Sequence, residues 1–218
     1  MAVPPEPDRN CPLCPRLVDF RENNRTSEPS WHNAPVPSFG GEDAELLVVG
    51  LAPGLRGANR TGRPFTGDAA GALLYPTLQE FGWAHGHYSE NARDRFRLVG
   101  CRITNAVRCV PPRNRPVGSE IGACRPFLAS ELAALKKVRA IVALGTVAHS
   151  AVLDALDIRR KLFPFRHGAF HQLRESLMLA DSYHCSRYNV NTGRLTEAMF
   201  RDVFAAVKAR LKNSPDAG

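Results

Sequence analysis

The sequence predicts a three-layer α/β/α sandwich around a four-stranded, mainly parallel sheet, on three observations. Four short apolar runs punctuate the chain: Glu45–Gly50 (ELLVVG), Arg102–Val107 (RITNAV), Ala140–Gly145 (AIVALG) and Leu177–Tyr183 (LMLADSY). The first and third are continuously apolar rather than alternating, the pattern of parallel strands covered on both faces. Each run is followed by a stretch with helical spacing, and such βα alternation builds a parallel sheet flanked by helices.

Taken in order, the first strand leaves through GLAPG (Gly50–Gly54) into a long polar segment. After the second, Ile121, Cys124, Leu128, Leu132 and Leu135 recur at helical spacing, so a helix is expected there. The third exits through Gly145-Thr146-Val147, which carries nothing unusual. After the fourth, Leu195, Met199, Val203, Val207 and Leu211 recur every four residues, with Thr192 or Asn191 as the expected cap. No internal repeat or low-complexity segment interrupts the pattern. The 218 residues suit a single domain over 1–218, with tails of about 1–8 and 213–218 expected to fray.

Hydrophobic residues at 44% and charged residues at 23% are ordinary globular values, so a disordered or fibrous chain is excluded. No apolar run approaches the roughly 20 residues of a membrane span. The opening MAVPPEPDRN lacks the basic-then-apolar order of a signal peptide, so a cytoplasmic protein, without membrane contact and monomeric, is expected. Twenty-nine Lys and Arg against 21 Asp and Glu leave a net charge of +8, which favours a polyanionic partner. The arginines crowd into loops (Arg56, Arg60, Arg63; Arg108, Arg113, Arg115; Arg187, Arg194), where a ligand can meet them.

In open parallel sheets, ligands sit beyond the C-terminal strand ends. The unusual residues fall there, in Gly50–Asp68, Asn105–Arg115 and His184–Thr196, so three loops are expected to converge. Gly50, Leu51, Ala52, Pro53 and Gly54 let backbone approach a ligand and offer N–H groups, or simply make a tight turn. GANRTGRPFTGD (Gly57–Asp68) adds one aromatic, Phe65, before a carboxylate, Asp68. An aromatic face beside an acid suits chemistry on a planar base. The plainer roles are core packing for Phe65 and a helix N-cap for Asp68. HCSRYNVNTGR (His184–Arg194) puts a histidine at a strand end, where a neutral imidazole donates to a developing oxyanion or serves structurally. Ser186, Arg187, Asn189, Asn191 and Arg194, with Arg60 from the first loop, suit phosphate contacts. Asn105 presents a donor and an acceptor that match a base edge or bond a neighbouring loop.

Six cysteines without an export signal argue for metal or cluster ligation over disulfides. Cys11 and Cys14 form a C-x2-C turn, and Cys109 and Cys124 bound the loop VPPRNRPVGSEIGA. Four thiolates suit zinc or a [4Fe–4S] cluster, and the wide second spacing favours the cluster. Cys101 and Cys185 read as unligated.

GLAPG, GANRTGRPFTGD, TNAVRCVPP, the cysteine spacing and HCSRYNVNTGRLT together resemble the uracil-DNA glycosylase superfamily, most closely its iron–sulfur type b, or fifth, family. The resemblance runs from Cys11 to about Thr196. It implies an α/β/α sandwich around four parallel strands and hydrolysis of the N-glycosidic bond of a base flipped from DNA. Uracil is the implied base, hypoxanthine and other damaged bases being further substrates. Phe65 is then expected to stack on the base, Asn105 to read it, His184 to donate to its O2 and Asp68 to orient water or stabilise the sugar cation. Many relatives carry a polar residue in the first motif, where this chain has Leu51 and Ala52, so Asp68 is the nearest acid for that role. The cluster is expected to be structural, and the protein to associate with the nucleoid. The alternative expectation is a non-cleaving damaged-base or DNA-binding protein with an iron–sulfur cluster.

Overall fold

A computed structural model describes residues 6–213. Its main sheet has six strands in the order β1-β5-β2-β6-β8-β7, with β1 Phe39–Gly40, β2 Leu46–Gly50, β5 Cys101–Asn105, β6 Ala140–Leu144, β7 Phe170–Arg174 and β8 Leu177–Ser182. The four central strands are parallel and coincide with the four apolar runs. The edges β1 and β7 are antiparallel additions to the expected four. They escaped the sequence because β1 has two residues and β7, FHQLR, is half-exposed and lacks an apolar run. A hairpin of β3 Ala84–His85 and β4 Arg97–Leu98 lies apart.

Side chains alternate across each strand, so neighbouring residues feed opposite layers. Leu46 and Val48 pack with Leu74 and Leu78 of α3 Ala69–Glu80 and with Phe200 and Phe204 of α7 Glu197–Asn213. Leu47 and Val49 pack with Leu128 of α4 Gly118–Ala134 and Val152 and Leu153 of α5 Thr146–Ala155. Both faces of β2 are thus sealed, which is why ELLVVG carries no alternation. Among the described residues, no helix is long and apolar enough to cross a membrane.

Three expectations need correction. Neither Thr192 nor Asn191 caps α7: both end the short α6 Arg187–Asn191, while the Thr196 hydroxyl accepts from the Met199 N–H. Glu6, within the tail expected to fray, is held by Arg108 at 2.7 Å; residues 1–5 and 214–218 lie outside the described residues. Arg63 and Arg108 are not exposed on the surface loops where a ligand is expected to meet them. Arg63 is buried against Asp94 at 2.6 Å, and Arg108 joins Arg102 on Glu131, which is fully buried. A buried guanidinium is tolerable only with such a partner.

Helix α1 Pro15–Ser27 was not legible from periodicity, because its buried positions are Leu17, Arg21 and Asn24. Two polar residues in three hide the apolar stripe. Arg16 ties α1 to α4 through both oxygens of Glu120, at 2.7 Å each.

Candidate active site at the strand ends

The parallel register sets Gly50 opposite Asn105, so two of the unusual segments meet at the strand ends. Beyond them opens a cleft of about 860 Å³, lined by Leu51–Gly54, Phe65, Asp68, Asn105, His184, Ser186 and Arg187 among others. That volume lies within the range of small-molecule sites. The three expected loops do converge. A fourth contributor was missed: Leu144, Gly145, Thr146 and Val147, the exit of β6, also line the cleft. The strand-end rule applied to every strand would have included it, but its exit shows no charged or aromatic side chain.

Gly50 is glycine for want of space. A Cβ there would stand 2.3 Å from Asn105 Oδ1 and 2.6 Å from Phe65 Cζ. Phe65 adopts φ 53°, a left-handed conformation that an aromatic residue takes only when its surroundings impose it. The surroundings are visible: Tyr75 Oη donates to the Pro64 carbonyl, Arg63 Nε donates to Thr66 Oγ1 at 2.7 Å, and Arg63 sits on Asp94. The result aims the Phe65 ring at the His184 ring, nearly parallel at 26° and 6.0 Å between centroids. Asn105 is buried at the end of β5, and its carboxamide, facing the cleft, makes no hydrogen bond among the described residues.

Asp68 fills its plain role and keeps an oxygen for another. Oδ1 accepts from Ala70 N–H and Gly71 N–H, capping α3. Oδ2 lies beside the glycine turn, 3.2 Å from where a Cβ on Gly54 would stand and 2.5 Å from one on Gly57. Burial raises the carboxyl pKa above its ordinary value, against the two N–H donors that lower it. Such a perturbed acid in a cleft is a mark of functional sites.

His184 is held from both sides. Asn189 Nδ2 donates to its carbonyl at 2.8 Å, and Gly145, at φ 97°, leaves room beside its Cβ. Burial lowers the imidazole pKa to about 4, so the ring is neutral at physiological pH, as the strand-end reading expects. Asn189 is therefore engaged with the backbone of His184. Ser186 caps α6 through the Asn189 N–H, Arg60 Nε bonds the Arg56 carbonyl at 2.8 Å, and Asn191 is exposed at the end of α6. Arg187 is exposed at the rim, and Arg194 lies 4.6 Å over the Tyr183 ring.

Cys11, Cys14, Cys109 and Cys124 line a single recess with Arg21 and Arg108, away from the cleft. No three of their sulfurs lie within 4.8 Å of one another; among the described residues only His149, His171 and Asp181 do. One tetrahedral ion at about 2.3 Å from each thiolate needs closer spacing than that. Burial raises Cys109 to about 12 and Cys124 to about 11, with the neighbouring cysteines adding to the rise. Cys101 and Cys185 are buried in the core between the sheet and α3 and α7.

The family model described as "Uracil DNA glycosylase superfamily" matches residues 37–208. A type-5 uracil-DNA glycosylase of Thermus thermophilus is 48% identical over 91% of this chain and 92% of its own length. One from Mycobacterium leprae is 43% identical over 91% and 90%. A type-4 uracil-DNA glycosylase of Pyrobaculum aerophilum is 36% identical over 69% of this chain and 63% of its own. The match spans all four parallel strands and every side chain of the cleft named above, and on it the chain belongs to the uracil-DNA glycosylase superfamily.

Proposed function

We propose that this chain is a DNA-repair glycosylase that hydrolyses the N-glycosidic bond of uracil flipped out of DNA and leaves an abasic site. The observation that carries the reading is the meeting of Phe65, Asp68, Asn105 and His184 in one cleft, in a member of this superfamily. A base inside a duplex is out of reach, so it must enter the cleft extrahelically. Phe65 stacks on it, and Asn105, free of other partners, reads its O4 and N3–H.

As the bond stretches, the base becomes an anion and the sugar an oxocarbenium ion. Neutral His184 donates a hydrogen bond to O2, where that negative charge collects, assisted by N–H groups of the Leu51–Gly54 turn. A preorganised donor of this kind is worth about 10²–10³ in rate. Asp68 Oδ2 faces the sugar side, stabilising the cation or orienting water, which Leu51 and Ala52 have no side chain to do. Arg187 and Ser186 at the cleft engage phosphates, Arg194 and Arg60 extend the basic surface outside its lining, and Asn189 and Asn191 shape the α6 turn. The mechanism needs no covalent intermediate, and the same contacts admit hypoxanthine and other deaminated bases.

We read the four-cysteine recess as the seat of an iron–sulfur cluster rather than one zinc ion, a reading supported by four cysteines on one recess with no three sulfurs within 4.8 Å. Cys11, Cys14, Cys109 and Cys124 would hold it, and when bound it would cross-link the N-terminal segment to α4. The protein acts as a monomer on nucleoid DNA in the cytoplasm. Incubation with a uracil-containing duplex followed by alkali should cut the strand at the uracil. An intact strand at stoichiometric protein contradicts the assignment.

A further inference from the structure

We propose that Arg21 and Arg108 act on the group seated in the four-cysteine recess, each lending its sulfur atoms a buried positive charge and an N–H donor. The inference rests on the cluster reading above. Among the described residues, the buried side-chain polar atoms without a hydrogen-bond partner are Arg21 Nε, Arg108 Nε, Asn24 Nδ2 and Trp83 Nε1. Two of these belong to the arginines that line the recess, which are 3% and 2% exposed. Buried donors nearly always find an acceptor, so an orphan in front of a cavity points to what fills it.

Both terminal nitrogens of Arg108 are engaged, and so is Nη1 of Arg21. Arg21 Nη1 donates to the Cys11 carbonyl at 3.1 Å, and its Nε lies 3.5 Å from the exposed Glu22 carboxylate without hydrogen-bond geometry. Arg108 Nη1 donates to Glu6 and Ser38, and Nη2 to Glu131, all at 2.7 Å. The Arg108 backbone N–H already donates to Cys124 Sγ at 3.4 Å. Each orphaned N–H therefore remains for an acceptor the protein itself does not supply.

The chemistry of the recess names that acceptor. Four thiolates make any metal assembly there anionic, and burial among Leu17, Val107 and Phe127 makes that charge costly without a nearby cation. A lone zinc ion offers no further acceptor, whereas the inorganic sulfides of an iron–sulfur cluster do. Hydrogen bonds to cluster sulfurs and local charge set the reduction potential. Reduction adds negative charge, so the arginines favour the reduced form.

The test uses the full chain purified without oxygen, assayed for iron and sulfide, then titrated with a reductant. Arg21→Gln removes the charge and the guanidinium Nε–H, leaving only a shorter neutral amide, without disturbing the ion network that Arg108 anchors. Its midpoint potential should fall by the equivalent of about tenfold in the redox equilibrium, about 59 mV for one electron. Release of iron to a chelator should be at least about tenfold faster. Arg21→Lys, which keeps the charge and serves if the glutamine variant fails to fold, should recover part of the potential. Faster release at unchanged potential would make Arg21 a mere tether for Cys11 and overturn the proposal, as would no change in either. Wild-type protein with no iron or sulfide, or with zinc instead, overturns the cluster reading itself.

Discussion

His184 and Asp68 both line the cleft, and their substitutions should separate chemistry from binding. His184→Ala removes one preorganised donor, so single-turnover excision should fall about 10²–10³-fold with duplex affinity nearly unchanged. An equal fall in affinity would make His184 a phosphate contact. Because burial holds the His184 pKa at about 4, the ring stays neutral and the donor intact from pH 8 down to about 5. Asp68→Asn keeps the N-cap, since asparagine caps as well as aspartate, so thermal stability should change by less than about 1 kcal/mol. Excision should nevertheless drop sharply, because Oδ2 loses its charge beside the glycine turn. A rate that follows stability alone would reduce Asp68 to its capping role.

At the scale of the element, the Pro64–Phe65 turn and the Gly50 strand end must be held together for Phe65 to face His184. Gly50→Ala drives a Cβ into Asn105 Oδ1 and the Phe65 ring, so excision should fall about 10²-fold, the usual penalty for a misplacement of about 1 Å. The turn is pinned by Arg63 on Asp94. Burial alone would raise Asp94, but the Arg63 hydrogen bonds hold its pKa down at about 2, below the unfolded value of about 3.9. A depressed carboxylate stabilises the fold above the unfolded pKa and loses that contribution as pH falls through the folded one. The Tm gap between wild type and Asp94→Asn should therefore be full at pH 5 and close between about pH 4 and pH 2. Much of this scale was legible in the sequence. The four parallel strands declared themselves as apolar runs because both faces are covered, Asn105 and His184 stood out as polar residues at strand ends, and Phe65 as the one aromatic of the loop after β2. The β6 exit did not, because it contributes backbone and small groups rather than chemistry. Nor did the burial of Arg63 and Arg108, since a loop arginine looks alike whether its carboxylate partner is 31 residues away, as Asp94 is, or absent.

For the molecule as a whole, one buried anion joins strand, helix and N-terminal segment. Glu131 of α4 is held below the ordinary carboxylate range: burial would raise it, but Arg108 and Arg102 outweigh burial. Removing its charge leaves two buried cations to share the part-exposed Glu6 carboxylate, so Glu131→Gln should destabilise the fold by about 3 kcal/mol in denaturant unfolding. The net charge of +8 serves the encounter with DNA, and affinity should decline steeply with salt while the single-turnover rate of bound substrate does not. The strand ends, rather than any single loop, make the site. The most direct test is the single-turnover release of free uracil from a duplex at saturating protein, comparing wild type with His184→Ala. Wild type should release uracil, and the variant should do so about 10²–10³-fold more slowly at equal occupancy. Equal rates in both, or no free uracil from wild type, would contradict the proposed mechanism.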